Sequence, residues 1–351
     1  MKKNLFITFP VDSGMKSSHD NYLNNFSNDF NFASFSYKYD QKENYNKYIR
    51  KKRYRIISSI KLRSLINKYS KKNDKIIFHG LSPMIYTIGS YKFKNTILSL
   101  DSTRALKDFV INKTIKKDFV FYIHRWILSK TPSILCWTDE VIRMLNSTYN
   151  IPKSQLFKIL PPFQLKTFLT KPRKTPNKPQ VLFIGREFER KGGDIVLHNF
   201  DKIKDKCNLT IVSENINILA NKIKGVSFFE CNLDKQKLKE LYISHDILIL
   251  PTKFDPYGLV LAEAASAGLA VITTKFALGS KDVVINNQSG FICESQQECI
   301  DKLSILLNDL KLIDQFKLMS FKNIKIKFDQ QKSHKSFLHL VNQSKINESN
   351  K

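Results

Sequence analysis

The sequence predicts an α/β protein made of two doubly wound parallel-sheet domains facing a cleft. Three observations predict it. Short, continuously apolar runs alternate with longer segments of helical periodicity, the pattern of parallel strands covered by helices on both faces. The chain has 351 residues, enough for two domains that each bury a core. A stretch rich in proline and lysine, PPFQLKTFLTKPRKTPNKPQ, separates two halves that both show the alternation. There Pro161, Pro162, Pro172, Pro176 and Pro179 restrict the backbone, and the lysines keep it solvated. The expected division is an N-terminal domain over 1–165, a linker over 166–179, a C-terminal domain over 180–320 and a basic helical segment over 321–351.

In the first half the strands read as LFITF (Leu5 to Phe9), FASFSY (Phe32 to Tyr37), KIIFHG (Lys75 to Gly80), TILSLD (Thr96 to Asp101) and SILCWT (Ser133 to Thr138). The opening MKKNLFITFPVD begins like a secretory signal, but its apolar stretch stops at Pro10 and Asp12 without a small-residue cleavage site, so it reads as the first strand. In the second half VLFIG (Val181 to Gly185) is followed by a helix through Asp194 to Phe200, then LTIV (Leu209 to Val212) and VSFF (Val226 to Phe229). Asp234 is an N-cap for the next helix. ILIL (Ile247 to Leu250) leads to a helix from about Gly258 to Ala267, ended by Gly268 and followed by AVITT (Ala270 to Thr274).

Composition narrows the classes. Hydrophobic residues at 42% indicate a folded chain, and no apolar run approaches the ~20 residues a membrane-spanning helix needs, so a soluble protein is expected. Five scattered cysteines (Cys136, Cys207, Cys231, Cys293, Cys299), without a Cys-x-x-Cys pair, point to a reducing, cytoplasmic setting and no zinc site. The net charge of +27 favours acidic partners, although a chain rich in Lys, Asn and Ile together also fits an AT-rich coding bias. Its densest stretch runs from Asn46 to Lys75, where Ile56, Ile57, Ile60, Leu62, Leu65 and Ile66 recur near helical spacing among cations. Two readings stay open there: a solvated helix face, or peripheral docking on an anionic membrane surface. Nucleic acid is not expected as a partner, because no nucleic-acid fold signature accompanies the charge.

The residues that carry chemistry lie in the second half. In an open parallel sheet, ligands bind outside the carboxyl ends of the strands, and the loop from Pro251 to Tyr257 leaves ILIL at such an end. It runs into a helix whose first turn presents backbone N–H groups at Gly258, Leu259 and Val260, an anion site that the glycine leaves open. Glu263 lies about one turn further on, its side chain tilted back toward the helix start, where a carboxylate suits a ribose diol. Asp255, in the loop, can accept from hydroxyls at the other end of the same ligand. A second signal, GREFERKGG, places Arg186 and Lys191 after a strand, a guanidinium fork and a point charge that can converge on a diphosphate. Taken together, these are the parts needed to hold a nucleoside diphosphate sugar.

At these residues the sequence resembles the family 4 (group 1) retaining glycosyltransferases of the GT-B fold. The resemblance rests on G-R-x4-K-G (Gly185, Arg186, Lys191, Gly192) and on a carboxylate-x7-Glu signature (Asp255 to Glu263), about 70 residues apart, and it covers Gln180 to Ile292. It implies that Arg186 and Lys191 hold the donor diphosphate, Glu263 the ribose and Asp255 the sugar hydroxyls. Gly185, Tyr257 and the Gly258–Val260 amides complete the donor site. The first acidic position in this family is usually Glu; here it is Asp255, one methylene shorter. The family often carries a His in the N-terminal domain facing the sugar. His79 and Asp101 compete for that place, with Asp101 preferred, and Gly14, His79 and Ser102 are candidates on the acceptor side. The implied reaction is metal-independent transfer, with retention, to an acceptor hydroxyl of a glycan or glycolipid, with Arg186, Lys191, Asp255 and Asp101 as the catalytic set. No cofactor is expected beyond the donor as substrate. The final helix, around Phe328 to Val341, is implied to return to the N-terminal domain.

Other classes are weighed on the same residues. No Asp-x-Asp is present for a metal-held diphosphate. Neither GxGxxG after the first strand nor a Gly-x-Ser-x-Gly elbow occurs, so dehydrogenase and hydrolase readings fall. A non-hydrolysing sugar-nucleotide epimerase of the same architecture and a non-catalytic basic binding protein remain as alternatives.

Overall fold

The computed structural model describes residues 4–8, 13–34, 59–70, 74–214 and 225–343. The chain forms two compact units, Met1–Phe163 with Gln330–Lys351, and Gln164–Asp329.

In the first unit the described elements run β1 (Leu5–Thr8), α1 (Ser13–Phe26), β2 (Asn31–Ser34), α2 (residues 59–70), β3 (Ile76–His79), α3 (Leu81–Tyr86), β4 (Thr96–Leu100), α4 (Arg104–Asn112), α5 (Phe119–Lys130), β5 (Ser133–Cys136), α6 (Asp139–Tyr149) and β6 (Leu156–Lys158). The strands pair in parallel in the order β2-β1-β3-β4-β5-β6. All four residues of β1, β3 and β5 are buried, as continuously apolar strands covered on both faces must be. Side-chain oxygens start three of the helices: Thr103 accepts from Leu106 N (3.1 Å), Asp118 from Phe121 N (3.1 Å) and Thr138 from Val141 N (3.3 Å). Each of the five strands expected here is present, with Lys75, Gly80, Asp101, Trp137 and Thr138 falling just beyond the strand ends. Phe9 and residues 35–37 lie outside the described residues, as does 46–58 of the basic stretch. Residues 71–73 also lie outside the described residues, and residues 59–70 form α2, which buries Leu62 and Ile66 and exposes Ile60.

The second unit runs α7 (Leu165–Phe168), β7 (Gln180–Ile184), α8 (Phe188–Lys191), α9 (Gly193–His198), β8 (Asn208–Ser213), β9 (Val226–Glu230), α10 (Lys235–Ser244), β10 (Ile247–Leu250), α11 (Leu259–Ser266), β11 (Ala270–Thr274), α12 (Ser280–Val283), β12 (Gly290–Cys293), α13 (Gln296–Leu307) and α14 (Leu310–Lys327). Its parallel sheet has the order β12-β11-β10-β7-β8-β9. Asp234 caps α10 by accepting from Lys237 N at 2.7 Å. The helix expected through Asp194 to Phe200 is shorter: α9 ends at His198, and Phe200–Lys202 is a 3-10 turn. Gly192, at φ 85°, separates α8 from α9, and a Cβ there would lie 2.1 Å from the Pro251 carbonyl oxygen.

The proline-rich segment after α7 packs on this unit. Thr175 Oγ1 donates to Asp314 Oδ1 at 2.6 Å, and Thr170 N donates to the Ser266 carbonyl at 3.0 Å. Lys317, 1% exposed, donates to Asp246 Oδ1 (2.7 Å) and to the Arg173 carbonyl (2.7 Å). Asp246 Oδ2 accepts from Arg173 Nη2 and Gln180 N, both at 2.9 Å. A charge this deeply buried persists only when its partners are all supplied, and here they are.

The final helix, α15 (Gln330–Gln343), belongs to the first unit, as the resemblance implied. Phe337 lies against Phe26 with ring centroids 4.6 Å apart, and His334 Nε2 is 3.1 Å from Asp29 Oδ2. No helix among the described residues is long and apolar enough to cross a membrane.

Candidate functional site

The order of the second sheet fixes where a ligand can sit. From β7 the chain builds outward through β8 and β9; it then returns to the other side of β7 and builds outward through β10, β11 and β12. β7 and β10 are therefore neighbours at the point where the strand order reverses, and open α/β sheets bind ligands outside the carboxyl ends of the strands at such a point. Both sequence signals lie there, GREFERKGG after β7 and PTKFDPYG after β10. The two loops are stitched together: Lys253 N donates to the Arg190 carbonyl at 2.9 Å, and Thr252 Oγ1 does so at 3.2 Å. The Arg190 guanidinium donates to the Phe254 carbonyl and to both Glu187 oxygens (2.6 and 2.8 Å). The sequence reading passed over Arg190. Its only signal is a cation next to Lys191, indistinguishable from a surface residue without the fold.

Lys191 Nζ donates to Asp255 Oδ2, an ion pair across the two loops with side chains 14% and 10% exposed. Gly185 makes room for it, since a Cβ at that position would lie 2.6 Å from Lys191 Cβ. Asp255 is held by its backbone, N to the Phe276 carbonyl (2.9 Å) and its carbonyl to Leu278 N (3.0 Å), while Oδ1 accepts from Tyr257 N at 3.3 Å. Arg186 stands at the rim, exposed, and donates to Glu214 Oε1 at 2.7 Å.

Gly258 caps α11 at φ 83°, a left-handed conformation that glycine adopts without strain, and its carbonyl accepts from Leu261 N at 2.9 Å. The amides of Leu259 and Val260 follow at the positive end of the helix. Glu263 is half-buried one turn on, and its Oε2 accepts from the hydroxyl of Tyr242 on α10 at 2.7 Å. Burial raises the Glu263 carboxyl above its ordinary value, opposed by that hydrogen bond. Tyr242 is wholly buried with its ring edge-on to Phe168, 5.4 Å between centroids. No sequence signal separates Tyr242 from an ordinary core residue. Tyr257 is also buried, and burial and the Asp282 carboxylate raise its pKa. Its backbone is thus the part that faces the loop chemistry.

The remaining candidates lie in the first unit. Asp101 and Ser102 follow β4, both half-buried, with Ser102 Oγ donating to the Thr103 carbonyl at 3.3 Å. His79 ends β3 at 1% exposure, stacked on Trp137 (5.1 Å, 22°) and close to Tyr22 (5.1 Å), with Nδ1 3.4 Å from Ser99 Oγ. Such burial is that of a core histidine. Gly14 falls in the first turn of α1. The structure therefore groups Gly185, Arg186, Lys191, Asp255, Tyr257, Gly258, Leu259, Val260 and Glu263 in one unit, and Asp101, Ser102, His79 and Gly14 in the other.

Comparison with known proteins bears on this arrangement. Residues 166–318 match the family described as Glycosyl transferases group 1. Among curated proteins, the chain is 29% identical over 143 residues to sulfoquinovosyl transferase SQD2 of Arabidopsis thaliana, covering 38% of this chain and 28% of that protein. It is 28% identical over 200 residues to an uncharacterized glycosyltransferase of Haemophilus influenzae, covering 52% and 51%. The chain thus spans about half or less of the length of these relatives. Sucrose-phosphate synthase from Thermosynechococcus elongatus superposes with a TM-score of 0.76 at 16% identity, covering 97% of this chain and 98% of that one. Anabaena HepE, solved in complex with UDP-glucose, superposes with a TM-score of 0.75 at 12% identity, covering 97% and 99%. At such identities the likeness establishes the shared fold, two parallel-sheet α/β domains.

Proposed function

We propose that this chain, whose residues 166–318 match the glycosyl transferases group 1, moves a sugar from a nucleoside diphosphate donor to a hydroxyl of a glycan or glycolipid acceptor. The observation that carries the reading is the Lys191–Asp255 pair, set at the switch point of the sheet beside the Gly258-capped start of α11. Gly185 and the packed loops hold the partly buried Lys191 ammonium at this point, where a diphosphate would meet it beside Asp255. The diphosphate would lie between Arg186, Lys191 and the α11 amides, the ribose diol on Glu263 and the sugar hydroxyls on Asp255.

Chemically, the bond between the anomeric carbon and the phosphate oxygen breaks, and negative charge grows on the leaving diphosphate. Lys191, Arg186 and the helix end neutralise that charge where it develops, which stabilises the transition state more than the ground state and so lowers the barrier. No metal is required for that step. Retention at the anomeric carbon follows from the resemblance to the family 4 enzymes. The acceptor is assigned to the first unit, with Asp101 and Ser102 as its candidate residues. The odd set of scattered cysteines supports a cytoplasmic site of action.

HepE of the same fold was solved with UDP-glucose, so UDP-sugars lead the donors to test. Donor incubated alone and donor incubated with candidate lipid and glycan acceptors are followed by release of nucleoside diphosphate and by NMR of the sugar. A transferase releases diphosphate faster with its acceptor. Conversion of the donor to its epimer in the acceptor-free sample would instead establish the epimerase reading.

A further inference from the structure

A helix hydrophobic on two faces needs two apolar surroundings, and among the described residues α5 has one. Phe121, Ile127 and Leu128 are buried against the first unit, with Phe121 stacked on Tyr149 at 4.7 Å. Phe119, Tyr122 and Trp126, at i, i+3 and i+7, share the opposite face and are 79%, 54% and 46% exposed. Phe109 and Ile111 at the end of α4 add exposures of 48% and 42%. A cluster of this kind marks an interaction surface.

Its charge says with what. Residues 104–130 carry seven Lys and Arg against two Asp, and both carboxylates are engaged by Arg104, Asp118 at 2.9 Å and Asp108 at 3.6 Å. Lys116, Lys117, Arg125 and Lys130 are exposed around the aromatic stripe. On a second flank, Trp126 meets Phe93 edge-on at 5.3 Å, and Phe93 lies between exposed Lys92 and Lys94. Tyrosine and tryptophan on an apolar stripe rimmed by lysines match the headgroup boundary of an anionic bilayer, where rings enter the interface and cations meet phosphate. A second copy of this chain is disfavoured, since it would set one cationic rim against another.

We propose that the α4–α5 face of the first unit docks peripherally on an anionic lipid surface. This face is built from residues outside the basic stretch 46–75, and the inference stands apart from the donor reading. Docking there would hold the unit assigned to the acceptor at the surface from which a lipid-linked acceptor is drawn.

The test is flotation of the full chain with vesicles of phosphatidylcholine, or of phosphatidylcholine mixed with an equal amount of phosphatidylglycerol. Wild type floats with the anionic vesicles, less so at high salt. Phe119→Ser/Trp126→Ser and, separately, Lys116→Glu/Lys117→Glu lose roughly tenfold or more in vesicle affinity, while thermal melting stays unchanged. The chain has two tryptophans, one exposed and one 2% exposed, so a blue shift of emission on anionic vesicles, lost in Trp126→Phe, reports the stripe itself. The proposal is overturned if flotation ignores lipid charge, if the folded variants float like wild type, or if Trp126 emission does not move. It is equally overturned if the stripe variants instead abolish a dimer seen by light scattering, or an oligonucleotide complex as strong as the vesicle complex.

Discussion

Tyr242 donates its hydroxyl to Glu263 Oε2 at 2.7 Å, and it does so from a wholly buried position on α10. The tyrosine thereby fixes the rotamer of a carboxylate that sits one turn into α11, leaving Oε1 directed by the same contact. If Glu263 accepts from a ribose diol, Tyr242 is its positioning residue. Tyr242→Phe removes a hydrogen bond to a charged group, about 1.5 kcal/mol, and raises the donor dissociation constant roughly tenfold. Titration calorimetry with the ribose donor and its 2′-deoxy analogue checks this: the analogue should lose much less than the ribose form.

Lys191 is the cation placed to meet charge on the leaving group. Lys191→Ala should lower kcat by about 10²–10³ while the protein stays folded, the scale for removing one preorganised charge stabiliser. Steady-state kinetics with a circular dichroism control measures it.

The raised pKa of Glu263 carries a stability consequence with a definite sign. Its folded pKa lies above the ordinary 4.5, so ionising it weakens the fold as pH rises through the folded value, and the penalty vanishes below the unfolded one. Without donor, Glu263→Gln is therefore more stable than wild type at neutral pH, and the two converge as pH falls below 4.5. Urea denaturation across that range reads the difference. The same substitution weakens donor binding, which separates the two roles of the carboxylate.

Lys317 tests the buried network that holds the segment after α7. Lys317→Met leaves Asp246 buried with Arg173 as its remaining cation, and should destabilise by about 3 kcal/mol in urea melts.

Much of this was legible from sequence, and for identifiable reasons. Strands such as ILIL and AVITT are buried on both faces, so continuous apolarity reveals them. The three-residue β6 and the glycine-led β12 were missed, because short edge strands carry little pattern. Lys191 and Asp255 were legible as a pair of signals, since strand ends locate ligand sites. Their direct ion pair was not, because it depends on Gly192 letting one loop lie against Pro251. Tyr242 and Arg190 act through tertiary contacts that no local spacing encodes. The aromatic face of α5 was hidden for the opposite reason: apolar residues on both sides of a helix read as core until the fold shows which side is covered.

A nucleoside diphosphate sugar held at the carboxyl ends of β7 and β10 would stabilise the folded chain. The most direct measurement is thermal melting of wild type and Lys191→Ala with UDP-, GDP- and ADP-sugars, since a ligand bound only by the folded state raises its melting temperature. One donor class should raise the melting temperature of wild type, with the shift sharply reduced in Lys191→Ala. A panel that shifts nothing, or a shift that Lys191→Ala leaves whole, would contradict it.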